Sequence, residues 1–510
     1  MEEMRENVPW RSCDGQPDYF PESRKTALPA GKGELLLGAL SVVFSLLLCN
    51  SLLFAGANLG FAAGLVGIMA SSRLYLRCRG HRSDRYSASL FALCVMIAAA
   101  FPRTDDVSLK ILMIYLLLVV PGMALCQTAG KNRRDPGGFL SLLDGPGAFF
   151  GFGFGKMSDS GRGLREAFRS TGSVGKNGGA VALGLLIAVP LLAVMIPLLM
   201  LADAAFEGLL DLLPDLELDE AFTTAILGIP LAFVLYTRTA ALHHAPKKEK
   251  TAVSRKGLQV LTVNTVLIAV SVLYGVYLMS QLAYFAGGFS GILPDGYTLA
   301  QYARRGFFEM AWLCAINLCV ISASVGLILE KTPVSTRVIC LFLGMITLFL
   351  VAAASAKMFL YIGAYGLTRL RVLTEVFMLW LALTTVFVCV WLFHPKMPYM
   401  KPVLLAGLLL CAGLMWADVD AQIARYNVRA YQAGRLETVD MRHLAGLSAG
   451  AVPYIEELVS DPDPQIRETA RDILVHYDLP DDSLRGWNSS VSRAREILEE
   501  YRVREAAEVS

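Results

Sequence analysis

Residues 338–354 read VICLFLGMITLFLVAAA, a run in which no position carries a charge. With its flanks (about 337–360) it is long enough, as a helix, to cross the ~30 Å hydrocarbon core of a bilayer. Comparable apolar stretches lie at about 35–54, 57–74, 87–101, 108–126, 180–201, 221–241, 258–284, 307–329, 373–394 and 402–417. Together they make about eleven spans and account for a hydrophobic content of 55% in 510 residues. The expected fold is all-α, a polytopic transmembrane bundle in a lipid bilayer. The stretch at 35–54 is too long and too far along the chain for a cleaved leader, so it reads as the first span. The stretches at 57–74 and 87–101 are short, rich in Gly and Ala, and suit a tight hairpin.

The connections alternate in charge. Arg73, Arg77, Arg79, Arg82 and Arg85 follow the second span, and Lys131, Arg133, Arg134, Lys156, Arg162, Arg165, Arg169 and Lys176 follow the fourth. Arg238, Lys247, Lys248, Lys250, Arg255 and Lys256 follow the sixth, whereas the connection after the fifth is purely acidic. Basic loops stay in the cytoplasm. The N-terminus is therefore expected inside and, with an odd number of spans, the C-terminal region outside. The net charge of +2 gives no nucleic-acid signature. Most of the ten cysteines lie inside apolar stretches as small packing residues, and no structural disulfide is expected.

The chain divides into a flexible polar tail (1–33), a four-span region (34–126), a basic Gly-rich connection (127–179), a seven-span core (180–417) and a soluble helical tail (418–510). In the connection, Phe139, Phe149, Phe150, Phe152 and Phe154 are interspersed with glycines, and Arg162, Arg165 and Arg169 recur at helical spacing. It reads either as an interfacial segment held on anionic headgroups or as a solvated basic loop. In the tail, Val452, Ile455, Leu458 and Val459 share one helix face. Asp463-Pro464 is an N-cap with a first-turn proline, and Ile466, Ala470, Ile473 and Leu474 form the next apolar stripe. The pair resembles a single HEAT-type repeat, which must bury its apolar face on neighbours. Residues 418–427 are expected to continue the last span as a helix, with Ile423 and Tyr426 inward.

Chemical motifs are sparse. Gly151–Lys156 is one residue short of a phosphate loop, and no strand precedes it. There is no His-Glu-x-x-His run, no Cys-x-x-Cys pair and no nucleophile elbow. His243-His244 reads as loop rather than metal site, and Asn488-Ser489-Ser490 matches the common glycosylation triplet. No cofactor is expected, and no catalytic constellation can be assembled.

The polar groups that remain gather around spans seven to ten: Gln281, Tyr302, Arg304, Arg305, Glu309, Asn317, Lys357, Tyr361, Tyr365, Arg369, Arg371 and Glu375. Ionisable groups beside a span are costly and usually face a partner charge, water or the protein interior. One reading is a pocket near the outer leaflet for an anionic lipid or another anionic ligand. The other is a set of anchors and inter-helix ion pairs.

The motifs GYTLAQYARRGFFEM (296–310), Asn317-Leu318, SAKMFLYIGAYGLTRLR (355–371) and residues 418–458 resemble an uncharacterised bacterial family, domain of unknown function 4173, akin to 4153. The likeness spans roughly 180–460. It implies a multi-pass membrane protein, placed in the bacterial plasma membrane, and brings no reaction or ligand. Two classes of function therefore stand: transport or lipid handling through the spans seven-to-ten pocket, or a non-catalytic scaffold or sensor whose tail docks a protein partner.

Overall fold

Long apolar runs become long helices because a backbone in hydrocarbon must satisfy its own hydrogen bonds. The computed structural model describes Leu28, Gly31–Asn132, Arg134, residues 139–170, 218–245, 258–289, 307–328, 332–480 and 483–509. The helices are α1 (Lys32–Asn50), α2 (Leu59–Cys78), α3 (Arg85–Ala99), α4 (Val107–Ala129), α5 (Met157–Ser170), α6 (Leu218–His244), α7 (Val260–Phe289), α8 (Phe307–Leu327), α9 (Val334–Tyr365), α10 (Arg369–Phe393) and α11 (Met400–Ala417). The tail follows with α12 (Val419–Gln432), α13 (Met441–Ala445), α14 (Val452–Glu456), α15 (Pro464–Val475) and α16 (Ser489–Val509). Among the described residues, ten helices are long and apolar enough to cross a membrane: α1–α4 and α6–α11. The expected span at 180–201 lies outside the described residues. Those residues form no strand, only an isolated bridge between Leu258 and Ile328.

Local chemistry sets the ends. Asp84 caps α3 by accepting from Ser87 N at 3.0 Å, and Asp106 caps α4 by accepting from Ser108 N and Leu109 N at 2.9 and 3.2 Å. Gly130, at φ 65°, closes α4 in the left-handed conformation that glycine adopts without strain.

The helices pack into two cores. One contains α1–α4, α6 and the tail; the other contains α7–α10. α11 joins them, because Met400 and Val403 belong to the second core and Leu408, Ala412 and Met415 to the first. The span ends separate into two faces. On one, His81 lies 3.0 Å from His243 and Gln127 donates to Asp84. On the other, the α1–α2, α3–α4 and α9–α10 connections meet the tail. Arg238, counted with the basic connection after the sixth span, lies inside α6 and is buried.

Residues 139–154 do not lie free as a loop. They fold into short helical turns against α4 and α6, where a Cβ on Gly145 would come within 2.5 Å of Val119 O. Phe150 and Phe154 stack on one another and remain exposed. In α5, Arg162 pairs with Asp159 at 2.7 Å. The side chains of Arg165 and Arg169 lie outside the described residues.

The tail departs from the expected continuous helix at one residue. Asp418 has φ 50°, which breaks α11 from α12 and turns the chain. Its carboxylate accepts from Thr104 Oγ1 at 3.2 Å and from Ser490 Oγ, and these bonds hold the turn. Ile423 is buried and Tyr426 half-buried. Asp463 accepts from Gln465 N at 2.8 Å and starts α15 with Pro464 at its first position. The preceding helix is divided into α14 and a 3-10 turn at Glu457–Ser460. Ala470 and Leu474 are fully buried, whereas Ile473 is only half-buried. α16 completes this core with Val491, Ala494 and Leu498. Leu474→Asp should therefore unfold the tail, at a cost of several kcal/mol for an unpaired buried carboxylate, and Ile473→Asp should cost clearly less. Protease resistance of residues 419–509 measures the difference, and equal resistance in the two variants would contradict this packing.

Candidate functional site: a buried polar junction between bundle and tail

The most concentrated polar chemistry among the described residues lies where the tail meets the bundle. Asp420, in the first turn of α12, is fully buried. It accepts from Arg369 Nε at 2.6 Å, from Arg369 Nη2 and from Ser448 N at 2.8 Å. The same guanidinium lies 3.5 Å from Asp106, the cap of α4. One arginine at the start of α10 thus holds the α3–α4 connection and the first tail helix, in the planar two-point geometry that arginine offers a carboxylate.

A second set of bonds lies beside it. Lys110 Nζ donates to Asn58 Oδ1 at 2.7 Å and is 3.8 Å from Asp105. Asn488 donates to Asn58 Oδ1 at 3.0 Å and to Thr104 O at 2.7 Å, while its own Oδ1 caps α16. Ser489 donates to Arg103 O at 3.2 Å, and Ser490 shares its single hydroxyl proton between Arg103 O, at 2.7 Å, and the Asp418 carboxylate. Asn488 is buried and wholly engaged, so the glycosylation triplet is not an accessible acceptor in this fold. A third clamp closes on the α9–α10 connection: Asn427 accepts from Leu367 N at 2.7 Å and donates to Leu367 O at 2.9 Å.

Four carboxylates (Asp105, Asp106, Asp418, Asp420) face two cations (Lys110, Arg369), so the cluster is short of positive charge. Burial, then the neighbouring carboxylates, holds Asp105 above the usual carboxylate range against the pull of Lys110. Asp106 is raised by burial and by Asp420, and Asp418 is raised by burial despite its bonds from Ser490 and Thr104. Burial together with Asp105 and Asp420 pushes the Tyr477 hydroxyl up to about 12. The raised carboxyls of Asp105, Asp106 and Asp418 hold a proton more readily than exposed carboxylates do. Among the described residues no three His, Cys, Asp or Glu side chains are arranged to hold a metal ion.

The model of a domain of unknown function, DUF4153, matches residues 88–458. The chain belongs to the DUF4153 family. No curated protein and no solved structure matches the chain. The family region contains Thr104, Asp105, Asp106, Lys110, Arg369, Asp418 and Asp420, while Asn58 and Asn488 fall outside it.

The site residues predicted from sequence also lie in the family region, but they do not all meet. Arg371 stacks over Tyr361, 4.1 Å from the ring centre, and donates to Tyr365 O at 3.0 Å and to Gly366 O. Tyr361 and Tyr365 pair at 5.1 Å. Arg369, two positions before Arg371, faces the tail instead. Asn317 is buried in α8 and donates to Thr347 Oγ1 of α9 at 3.1 Å. Lys357 and Glu375 are half-buried in α9 and α10, and Glu309 is exposed at the start of α8. Tyr302, Arg304, Arg305 and the side chain of Gln281 lie outside the described residues. Asp106, Lys110 and Asp420 were missed by the sequence reading. A lysine three residues into a span, and a pair of aspartates at the end of the last one, were the available signals.

Proposed function

We propose that the protein is a non-catalytic membrane scaffold or sensor whose C-terminal domain is a built-in readout of the bundle. The observation that carries this reading is the Asp106–Arg369–Asp420 bridge. It ties the tail to two connections of the bundle through buried charge rather than leaving it as a free docking module. Transport of an anion through spans seven to ten finds less support, because Arg369 and Arg371 already have protein partners. The face bearing Arg77, Arg79, Arg82, Arg85 and Lys131 suits the cytoplasm of a bacterial cell, and this supports reading the tail as extracytoplasmic.

A sensor requires coupling between the connections. Asn427→Ala removes the clamp on Leu367, and hydrogen exchange of the full chain in nanodiscs reads the response. Faster exchange is expected in α12 and also at residues 56–58 and 104–106. A change confined to residues 366–368 and α12 would overturn the coupling.

The junction should also respond to pH. The raised carboxyls of Asp105, Asp106 and Asp418 hold protons in the docked state at pH values where an undocked carboxylate, with a pKa near ~4, has lost them. Their contribution is full below that value and is lost as pH rises through the raised values. Proteolysis between residues 418 and 440 should therefore be slower at pH 5 than at pH 7, with Lys110, Arg369, Asp420 and Tyr477 as the facing groups. Faster cleavage at pH 5 with a pH-insensitive protease would contradict it.

A further inference from the structure

A separate cavity lies in the other half of the bundle, between α1, α2, α4 and α6. Its volume is about 150 Å³. Leu48, Phe61, Leu117 and Leu235 form apolar walls, Phe149 of the folded-back connection closes one side, and Arg238 lines it. Leu52 and Leu118, also in the lining, are exposed on the outer apolar surface, so the cavity reaches that surface beside them.

Arg238 makes this cavity unlike a packing void. It is only 4% exposed, and its Nε has no hydrogen-bond partner. No carboxylate among the described residues forms an ion pair with it. The residue lies six positions before His244, the end of α6, so at ~1.5 Å per residue it sits about 9 Å inside the helix end. A guanidinium buried at that depth among leucines and phenylalanines carries a large desolvation cost that a counter-charge relieves. A charged head with a narrow apolar cavity beside it is the complement of an amphiphile. An apolar cavity of about 150 Å³ holds a group the size of benzene. The space therefore admits one chain, with the remainder leaving beside Leu52 and Leu118.

We propose that this cavity binds a single-chain anionic amphiphile, its carboxylate or phosphate on Arg238 and its chain between α2, α4 and α6. Free fatty acids and single-chain phosphate lipids share this chemistry. The full chain in phosphatidylcholine nanodiscs is titrated with dodecanoate, dodecyl phosphate, 1-dodecanol and inorganic phosphate, with empty nanodiscs as background. Saturable one-site binding is expected for at least one of the two anionic amphiphiles, and preference between them identifies the head group. Neither 1-dodecanol nor inorganic phosphate should saturate the site. Arg238→Leu should weaken binding about tenfold or more, and Arg238→Lys only a few-fold. Leu235→Trp, which fills the cavity and keeps the charge, should abolish binding with helix content unchanged. Equal binding of 1-dodecanol, saturation by inorganic phosphate alone, or unchanged affinity in Arg238→Leu would each overturn the proposal. If Leu235→Trp fails to fold, the Arg238 pair still decides.

Discussion

Arg369→Ala should release the C-terminal domain from the bundle while leaving the spans folded. The substitution strands Asp420, which is fully buried, and removes the cation nearest Asp106. Breaking a buried pair by deleting one partner costs about 3–5 kcal/mol, because the remaining charge has neither water nor a counter-ion. Arg369 is itself 31% exposed, so the lower end, about 3 kcal/mol, is expected. Arg369→Lys should recover only part of this, since an ammonium cannot reproduce the two-point contact. Trypsin acting on the full chain in nanodiscs provides the readout, through the exposed Arg425 and Arg429 of α12. Cleavage there should become rapid in the alanine variant. An unchanged cleavage pattern would mean that apolar packing alone holds the tail.

Gly366→Ala should be nearly as damaging, although it adds a single methyl group. Gly366 has φ 75° and ψ −177°, a region that is essentially restricted to glycine. A Cβ there would also lie 2.5 Å from Asn427 Oδ1, the atom that accepts from Leu367 N. Backbone strain of ~1–3 kcal/mol and the loss of two hydrogen bonds of ~1 kcal/mol each add to a cost on the order of 3 kcal/mol. Both the thermal unfolding midpoint and the protease resistance of α12 should fall. Asn427→Gly, which clears the space, should relieve part of the defect when combined with Gly366→Ala. No recovery in the double variant would show that the strained backbone dominates.

The spans were legible because each depends on one local property, an uninterrupted apolar run. Residues 338–354 could adopt no other solvated form in a bilayer. The Asp463-Pro464 start of α15 was legible for the same reason, since a cap acts within three residues. The junction was not. Arg369 is 51 residues from Asp420, and Asn488 is 430 from Asn58. Neither spacing nor periodicity relates such positions, and the two arginines at 369 and 371 look alike on paper. Two positions apart in sequence and on opposite sides of a helix, they meet an aspartate and a tyrosine ring respectively. Asp418 was read as a helical residue because most residues between a span and an amphipathic helix are. Its left-handed turn comes from partners at Thr104 and Ser490 that no local pattern reveals.

The bonds from Asn488, Ser489 and Ser490 to Asn58, Arg103 and Thr104 impose an order on biosynthesis. The first four helices enter the bilayer hundreds of residues before those serines leave the ribosome, so the α1–α2 and α3–α4 connections wait without these partners. A nascent chain stays without them until α16 is made. A chain terminated before Asn488 would never form these bonds, and would leave open to proteolysis two connections that α16 otherwise covers.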